Sequence, residues 1–143
     1  NSQAINLKAY FFASQFVLAG MRDRGGGSII NFSSISYMMG NSGYPAYTTA
    51  NAGIMGMTRS LAREFGPDNI RVNAIAPGWV LTKKQLDKWA TPESLKAHLD
   101  RQCIKSHLKE EDIAGGVLFL ASASSSMITG QLLAIDGGVV MTG

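Results

Sequence analysis

The sequence predicts an α/β protein in which three short strands alternate with helices and pair in parallel. Three runs rich in apolar residues and free of proline have the length of buried strands. They span residues 28–33, 70–75 and 132–136. Stretches with apolar residues at helical spacing precede the first run and separate the others. They span residues 3–22, 46–65 and 110–121. Because strands that alternate with helices are joined by right-handed crossovers, this order predicts one parallel sheet covered on both faces.

The composition is typical of a globular domain in a reducing environment. The chain has 143 residues, of which 45% are hydrophobic and 16% are charged, enough for one domain with a real core. The net charge is +3 and the basic residues are scattered, so we predict no nucleic-acid partner. The single cysteine, Cys103, excludes an internal disulfide framework. We predict no metal site.

The first predicted helix, residues 3–22, begins like a signal peptide. Lys8 precedes an apolar run, but Ser14 and Gln15 interrupt that run, which is also too short to span a bilayer. We therefore expect a soluble, cytoplasmic protein without a membrane partner. Apolar residues surround nearly the whole circumference of the helix, so we predict that it is buried on two sides.

The first strand, residues 28–33, follows three glycines and ends at two serines. Glycines 25–27 invite a phosphate-loop interpretation, but such a loop follows a strand and opens a helix, the reverse of the order here. We interpret them as a turn. Ser34 lies at the strand's carboxyl end and Tyr47 at the start of the next helix. Such a hydroxyl and phenol can meet in the cleft where open α/β sheets bind ligands.

The helix of residues 46–65 combines an apolar stripe with two internal glycines. The stripe consists of Ala50, Ile54, Met57, Leu61 and Phe65. Gly53 and Gly56 lower the helix propensity, and we predict that they allow close approach of another helix or of a ligand. Gly66-Pro67-Asp68 ends the helix.

An insertion separates the second strand from the last helix. Residues 82–108 contain lysine-rich helical fragments, with a helix start predicted at Thr91-Pro92-Glu93. Since this insertion lies between core elements, it is where a substrate lid would lie. The helix of residues 110–121 begins with acidic groups that suit a helix amino end. The third strand follows and ends at Gly137-Gly138.

Five motifs, in this order, resemble the carboxyl-terminal part of the short-chain dehydrogenase/reductase family. They are Ala4-Ile5-Asn6-Leu7; Ile30-Asn31-Phe32-Ser33-Ser34; Tyr47, thirteen positions after Ser34; Arg71-Val72-Asn73-Ala74-Ile75-Ala76-Pro77-Gly78; and Ile128-Thr129-Gly130-Gln131 with Asp136-Gly137-Gly138. The resemblance covers residues 1–143 as a single partial domain. It implies a partial Rossmann-type doubly wound parallel sheet, the C-terminal half of that fold with about three strands and flanking helices. Residues 82–108 would be its substrate-lid insertion.

The resemblance also implies hydride transfer between NAD or NADP and a small-molecule alcohol or carbonyl substrate. The catalytic residues would be Ser34, Tyr47, Asn51 and Asn6. The cofactor-binding residues would be Tyr47, Asn51, Pro77, Gly78, Trp79, Val80 and Thr82. In the family the tyrosine, as phenolate, takes the proton of the alcohol, and the serine holds the substrate oxygen. Other interpretations stay open: Ser34 caps the strand-end turn, Asn6 satisfies backbone groups, and Tyr47 packs in the core.

Asn51 departs from the family pattern, which has lysine four residues after the tyrosine. A free phenol titrates near pH ~10, and a cation on the same helix face lowers that value by roughly one to three units. Neutral Asn51 can hydrogen-bond a ribose but supplies no charge. Arg59 and Arg63 lie on the wrong side of the helix, and Lys83 or Lys84 reach the site only if the lid closes over it. We therefore predict weak or absent turnover near neutral pH.

A second departure concerns the adenosine-binding, N-terminal half of the fold. No strand followed by a glycine-rich turn and a helix occurs in the sequence, so we expect a truncated dehydrogenase. The edge of the strand at residues 28–33 would then lack a neighbour, and an exposed apolar edge favours association. We predict a homo-oligomer formed through this edge or through the helices of residues 3–22 and 46–65.

Two other functions compete with the truncated dehydrogenase. A non-catalytic oligomerisation module would keep the assembly surfaces without turnover, and a generic α/β fragment would have no function of its own. The insertion and the Asp136-Gly137-Gly138 end are compatible with sugar, aldonate or acyl-carrier substrates. Binding of a nicotinamide cofactor would favour the dehydrogenase over both alternatives.

Overall fold

A computed structural model describes residues 3–141, in which strands and helices alternate along the chain. The first helix begins with a π-helical turn, Ala4–Lys8, and continues as α1. The elements after that turn are α1 (Ala9–Asp23), β1 (Gly27–Phe32), α2 (Ser36–Met39), α3 (Pro45–Phe65), β2 (Ile70–Pro77), α4 (Lys83–Lys88), α5 (Pro92–Arg101), α6 (Glu110–Ala121) and β3 (Leu132–Ile135). Short 3-10 turns follow α3 and α6, at Gly66–Asp68 and Ala123–Ser125.

The strands form one parallel sheet in the order β1-β2-β3. Ile29 lies beside Val72, and Ile75 lies beside Leu133. The α/β fold with a parallel sheet and flanking helices is therefore confirmed. Within residues 3–141, β1 pairs with β2 alone, so the other edge of β1 is open.

Apolar clusters hold helices on both faces of the sheet, because neighbouring residues of a strand point to opposite faces. On one face Leu18 of α1 and Phe65 of α3 pack with Ile29 and Val72. On the other face the cluster contains Ile75, Ile113, Leu120 and partly buried neighbours such as Ile30. The strand ends between these layers are thereby fixed in position.

Helix α1 is buried on one side only, and the prediction of burial on two sides is wrong for the described chain. Ser14 and Leu18 are its buried residues, whereas Phe16 is 87% exposed and Phe12 is 53% exposed. The apolar circumference predicted two covering layers, but β1 and the neighbouring helices contact a single side. The outer side of α1 is therefore an exposed apolar surface.

The two glycines inside α3 have different surroundings. A Cβ atom at Gly53 would lie 3.0 Å from Leu7 Cδ2, so this glycine lets α3 approach the first helix, as predicted. At Gly56 no atom lies within 4 Å of a Cβ built there. The close approach predicted at Gly56 is therefore not made by the described residues.

A cluster of polar side chains, which we call the polar corner, joins β2 to the end of α6. It consists of Arg71, Asn73 and Ser125. The Arg71 guanidinium donates to the Leu120 carbonyl at 2.9 Å and to Ser125 Oγ at 3.0 Å. Asn73 Nδ2 donates to the Ile128 carbonyl at 2.8 Å. A cation beside the last carbonyls of a helix is favourable, and these bonds fix α6 against the sheet.

The insertion of residues 82–108 leaves and rejoins the core at one place. The Leu81 N–H donates to the Leu108 carbonyl at 3.0 Å, and Val80 forms a parallel bridge with Leu108. Inside the insertion, Thr91 Oγ1 accepts from the Ser94 N–H at 3.2 Å and caps α5, as the sequence predicts. The insertion thus begins and ends beside β2, and it also contacts the segment after β3, where the Ile104 N–H donates to the Gly137 carbonyl at 2.9 Å.

The predicted element boundaries agree closely with the observed ones. Helix α6 spans residues 110–121, as predicted, and β2 extends two residues beyond its predicted end to Pro77. Helix α2 was not predicted, because glycine, asparagine and serine dominate the loop in which it lies. In the described part of the chain, every helix is too short or too polar to cross a bilayer.

Candidate active site

A cavity of about 570 Å³ opens where the carboxyl ends of β1 and β2 face the insertion. This is the edge of a parallel sheet at which α/β proteins bind their ligands. The cavity is lined by Ser34, Ile35, Ser36, Met39, Asn41, Tyr44, Tyr47, Gly78, Trp79, Gln85, Trp89 and His98. Ser34 and Tyr47, the hydroxyl and the phenol singled out in the sequence, therefore share one cavity.

The two serines after β1 have different environments. Ser33 is buried, and its Oγ donates to the Asn51 carbonyl at 2.9 Å, which ties β1 to α3. Ser34 is half-buried and lines the cavity, and its Oγ accepts from the Ser36 N–H at 3.2 Å. Only the second hydroxyl is thus placed to meet a ligand.

Tyr47 lies in the first turn of α3, which begins at Pro45. Proline suits this position because its fixed φ matches a helix start and its missing N–H is not needed there. The Tyr47 side chain is 41% exposed, and its ring meets that of Tyr44 edge to face at 6.2 Å. The helix start therefore holds a phenol at the mouth of the cavity.

Asn51 lies one turn further along α3 and is only 3% exposed. Its Nδ2 donates to the Tyr47 carbonyl at 2.9 Å. It is not among the residues that line the cavity. The amide therefore contacts the backbone of the helix turn that carries the phenol, and it adds no charge.

Asn6 lies in the π-helical turn of residues 4–8 and is half-buried. Single π turns within helices are rare and occur frequently at functional sites. The structure does not place Asn6 among the cavity-lining residues. Of the four predicted catalytic residues, Ser34 and Tyr47 line the cavity together, whereas Asn51 and Asn6 do not line it.

The predicted cofactor-binding stretch divides into cavity and support. Gly78 and Trp79 line the cavity, whereas Pro77 ends β2 and Val80 packs against the core. Thr82 caps α4, with its Oγ1 accepting from the Gln85 N–H at 3.3 Å. The sequence stretch therefore builds one wall of the cavity and the start of the insertion.

The insertion contributes side chains that sequence reasoning missed. Trp79 Nε1 donates to Gln85 Oε1 at 2.9 Å, and the Trp79 ring meets the His98 ring edge to face at 5.4 Å. Trp89 also lines the cavity. No motif marks Gln85, Trp89 and His98. They come from α4, the residue after it and α5, whose contacts with the sheet are not local in sequence.

His98 is held in its neutral form. Burial is the main cause of the lowered pKa of its imidazole, and the nearby charges of Arg101 and His107 lower it further. Asp136 acts in the opposite direction and raises the pKa less. A neutral imidazole carries one donor and one acceptor, so His98 can both give and accept a hydrogen bond.

The cations near the cavity are not directed at Tyr47 in the structure. Lys84 Nζ lies 5.8 Å from the centre of the Trp89 ring, a cation–π distance. Arg59 and Arg63 line a separate surface pocket with Thr129 and Gln131. Lys84, Arg59 and Arg63 are therefore not placed as substitutes for the family's lysine.

The nicotinamide end of a dinucleotide fits the chemistry of this cavity. The Ser34 and Tyr47 hydroxyls and the Trp79 ring line a cavity whose volume is within the usual range for small-molecule sites. The phosphates have no comparable support, because no strand of residues 3–141 is followed by a glycine-rich turn and a long helix. Ser34, Tyr47, Gly78 and Trp79 are the residues that would surround the reactive ring.

Comparison with known proteins gives close relatives over nearly the whole chain. A family profile described as enoyl-(acyl carrier protein) reductase matches residues 1–140. A probable galactose dehydrogenase of Rhizobium meliloti (strain 1021) is 51% identical over 138 residues, which cover 96% of this chain and 54% of the relative. A D-xylose 1-dehydrogenase of Caulobacter vibrioides is 49% identical over 134 residues, which cover 94% of this chain and 54% of the relative.

A solved structure from Agrobacterium tumefaciens, provisionally assigned as a 2-deoxy-d-gluconate 3-dehydrogenase and containing bound NADP, superimposes with a TM-score of 0.88. It is 37% identical, and the match covers 94% of this chain and 55% of that one. The chain thus spans about half the length of the relatives it matches.

Proposed function

Because the chain belongs to the short-chain dehydrogenase/reductase family, we propose that it supplies the proton-transfer and substrate-binding side of an NAD(P)-dependent oxidoreductase acting on an alcohol or carbonyl group. The observation that carries the proposal is the shared cavity of Ser34 and Tyr47 at the carboxyl ends of β1 and β2. A generic α/β fragment would have no reason to place these two groups together.

In the oxidation direction Ser34 Oγ hydrogen-bonds the substrate hydroxyl, and Tyr47 takes its proton as general base. When bound, a nicotinamide would accept the hydride that leaves the carbon atom bearing this hydroxyl. The O–H electron pair then forms the second bond of the carbonyl, and the proton stays on the Tyr47 oxygen. In the reverse direction Tyr47 returns that proton to the carbonyl oxygen.

Asn51 limits this chemistry. An amide does not stabilise a phenolate as an ammonium group does, so proton removal is slow near neutral pH. Asn51 is buried and bonds the Tyr47 carbonyl. Both observations support a structural and not an electrostatic role for its amide beside Tyr47.

Cofactor titration tests the proposal directly. The chain has two tryptophans, Trp79 and Trp89, and both line the cavity, so NADH or NADPH bound there should quench their fluorescence saturably. The Tyr47→Phe variant should keep this binding and lose turnover, by about a hundredfold or more for loss of a general base. The absence of saturable binding of both cofactors would overturn the proposal.

Restoring the family's lysine tests the role of charge. Asn51→Lys should raise turnover of D-galactose or D-xylose at neutral pH by about tenfold or more, equivalent to one pKa unit of stabilisation. The advantage should shrink towards pH ~10, where a free phenol ionises without help. Ser126→Lys adds the same charge at an exposed residue after α6 and should change nothing. Equal rates for Asn51→Lys and the parent, both folded by circular dichroism, would contradict the charge argument.

We further propose that the chain self-associates through the outer side of α1. The 87% exposure of Phe16 and the open edge of β1 support this, and a non-catalytic assembly module is the second candidate function. Sedimentation should show an oligomer that Phe16→Glu dissociates. Leu118→Glu, at a residue 71% exposed on α6, is the matched control and should leave it intact. A well-folded monomeric parent would overturn this.

A further inference from the structure

Buried polar atoms without hydrogen-bond partners concentrate at the cavity. Among residues 3–141 there are three such side-chain atoms, Ser36 Oγ, His98 Nε2 and Gln102 Oε1. Ser36 and His98 both line the cavity, whereas Gln102 does not. A buried donor or acceptor left unpaired costs about 1–3 kcal/mol, so such atoms are rare unless a ligand completes them.

The two atoms belong to different elements that both line the cavity. Ser36 opens α2, is 8% exposed, and has its backbone N–H bonded to Ser34 Oγ. His98 lies on α5 of the insertion, with its ring against Trp79. The sheet side and the insertion side of the cavity therefore each hold one unpaired polar atom, next to the proposed reacting groups.

The chemistry of these groups selects the ligand. A serine hydroxyl and a neutral imidazole each can donate and accept, as a ligand hydroxyl also can. Neither carries the positive charge that a carboxylate or phosphate prefers, and Lys84 of the insertion lies over the Trp89 ring. Aromatic rings of Tyr44, Trp79 and Trp89 provide flat apolar walls around the polar atoms, as in sites that bury a ring with a few oriented hydrogen bonds.

We propose that Ser36 and His98 bind hydroxyl groups of a neutral monosaccharide, and that this pair sets the substrate class of the cavity. The inference rests on the proposed oxidoreductase function and decides between the sugar, aldonate and acyl-carrier substrates that the sequence leaves open. Ser34 and Tyr47 hold the reacting carbon's oxygen, whereas Ser36 and His98 contact hydroxyls elsewhere on the ring. Trp79 and Trp89 cover the faces of the sugar.

Ligand titration of the full chain tests this, with calorimetry and tryptophan fluorescence as independent readouts. D-galactose or D-xylose should bind more tightly than D-galactonate, which carries a carboxylate, and more tightly than acetoacetyl-pantetheine, an acyl thioester. Ser36→Ala and His98→Phe should each weaken sugar binding by about tenfold, the value of one neutral hydrogen bond of roughly 1–1.5 kcal/mol. His98→Gln, which keeps a donor and an acceptor, should recover part of the loss.

Matched controls make the same substitutions at residues that do not line the cavity. Ser126→Ala changes an exposed serine after α6, and His107→Phe changes the other histidine of the insertion. Both should keep the parent's sugar affinity. Unchanged affinity in folded Ser36→Ala and His98→Phe, tighter binding of D-galactonate or of the thioester, or no sugar binding at all would each overturn the inference.

The outcome is separable from that of the proposed function. Sugar binding that depends on Ser36 and His98, with no binding of NADH or NADPH, would leave the sugar site standing and remove the oxidoreductase. If nicotinamide binds but Ser36→Ala and His98→Phe leave the sugar affinity unchanged, the oxidoreductase function stands and the sugar site is removed.

Discussion

The polar corner and the cavity both bury polar side chains, but they satisfy them differently. Arg71, Asn73 and Ser125 of the polar corner have hydrogen-bond partners for their buried atoms, mostly carbonyls of α6 and the turn after it. In the cavity, Ser36 Oγ and His98 Nε2 have none. A folded chain keeps the second situation at a cost, so the polar corner is explained by stability, whereas the unpaired atoms of the cavity are the basis of the proposed ligand site.

The largest expected effect comes from the polar corner. Arg71→Ala removes a guanidinium that bonds four oxygens of α6 and the segment after it. The free energy of unfolding should fall by about 3 kcal/mol, measured by urea denaturation. Arg63→Ala, at an exposed arginine of α3, is the control and should cost less than about 0.5 kcal/mol. A loss at Arg71 no larger than at Arg63 would contradict the structural role assigned to the polar corner.

Two buried serines give the most direct test of the comparison. Ser125 is 1% exposed and donates to the Phe119 carbonyl at 2.8 Å, so Ser125→Ala should cost about 1–2 kcal/mol of unfolding free energy. Ser36 is 8% exposed with an unpaired hydroxyl, so Ser36→Ala should be neutral or stabilising by up to about 1 kcal/mol. Equal destabilisation by both substitutions would mean that the cavity serine is also a structural residue.

The smallest expected effect is a pH dependence from His98. Burial, Arg101 and His107 lower the pKa of its imidazole in the folded chain, and Asp136 opposes them. The unfolded chain therefore binds the proton first as the pH falls. Its contribution to stability is complete above the unfolded value of about 6.5 and is lost as the pH falls through the lower folded pKa.

Denaturation at about pH 7.5 and about pH 5.5 measures this contribution, in the range where histidine titrates. His98→Phe should flatten the difference and His107→Phe should leave most of it. The exposed carboxylates do not obscure the result, since Lys96 and helix capping lower the pKa values of Asp100 and Glu93 and move their effect to more acidic pH. A pH dependence that survives in His98→Phe would assign it to another group.

Local chemistry made much of the fold predictable. The acidic start of α6, the Gly66-Pro67-Asp68 end of α3 and the Thr91 cap are short-range signals, and the structure follows each of them. The alternation of apolar strands with helices predicted parallel pairing, and the sheet has it. The outer side of α1 was not predictable, because an apolar helix surface does not reveal whether its partner lies in the same chain.

The candidate site was predictable only where a motif marks it. Ser34 and Tyr47 lie at a strand end and a helix start, positions that topology brings together. Ser36 and His98 were missed, because an unpaired buried atom is a property of packing between α2 and the insertion. For Asn51 the sequence revealed the missing charge, and the structure adds its burial and its bond to the Tyr47 carbonyl.

The meeting of Leu81 with Leu108 has a consequence for how such proteins diversify. Because a hydrogen bond joins the chain where it enters and leaves the insertion, the length and sequence of the insertion can change without moving β2, provided that its contact with Gly137 after β3 is kept. Residues 82–108 therefore form a segment that can be exchanged while the rest of the fold stays the same. Grafting a different segment between Leu81 and Leu108 would replace the wall of the cavity that the insertion supplies. It would retain Ser34 and Tyr47, which lie outside the insertion.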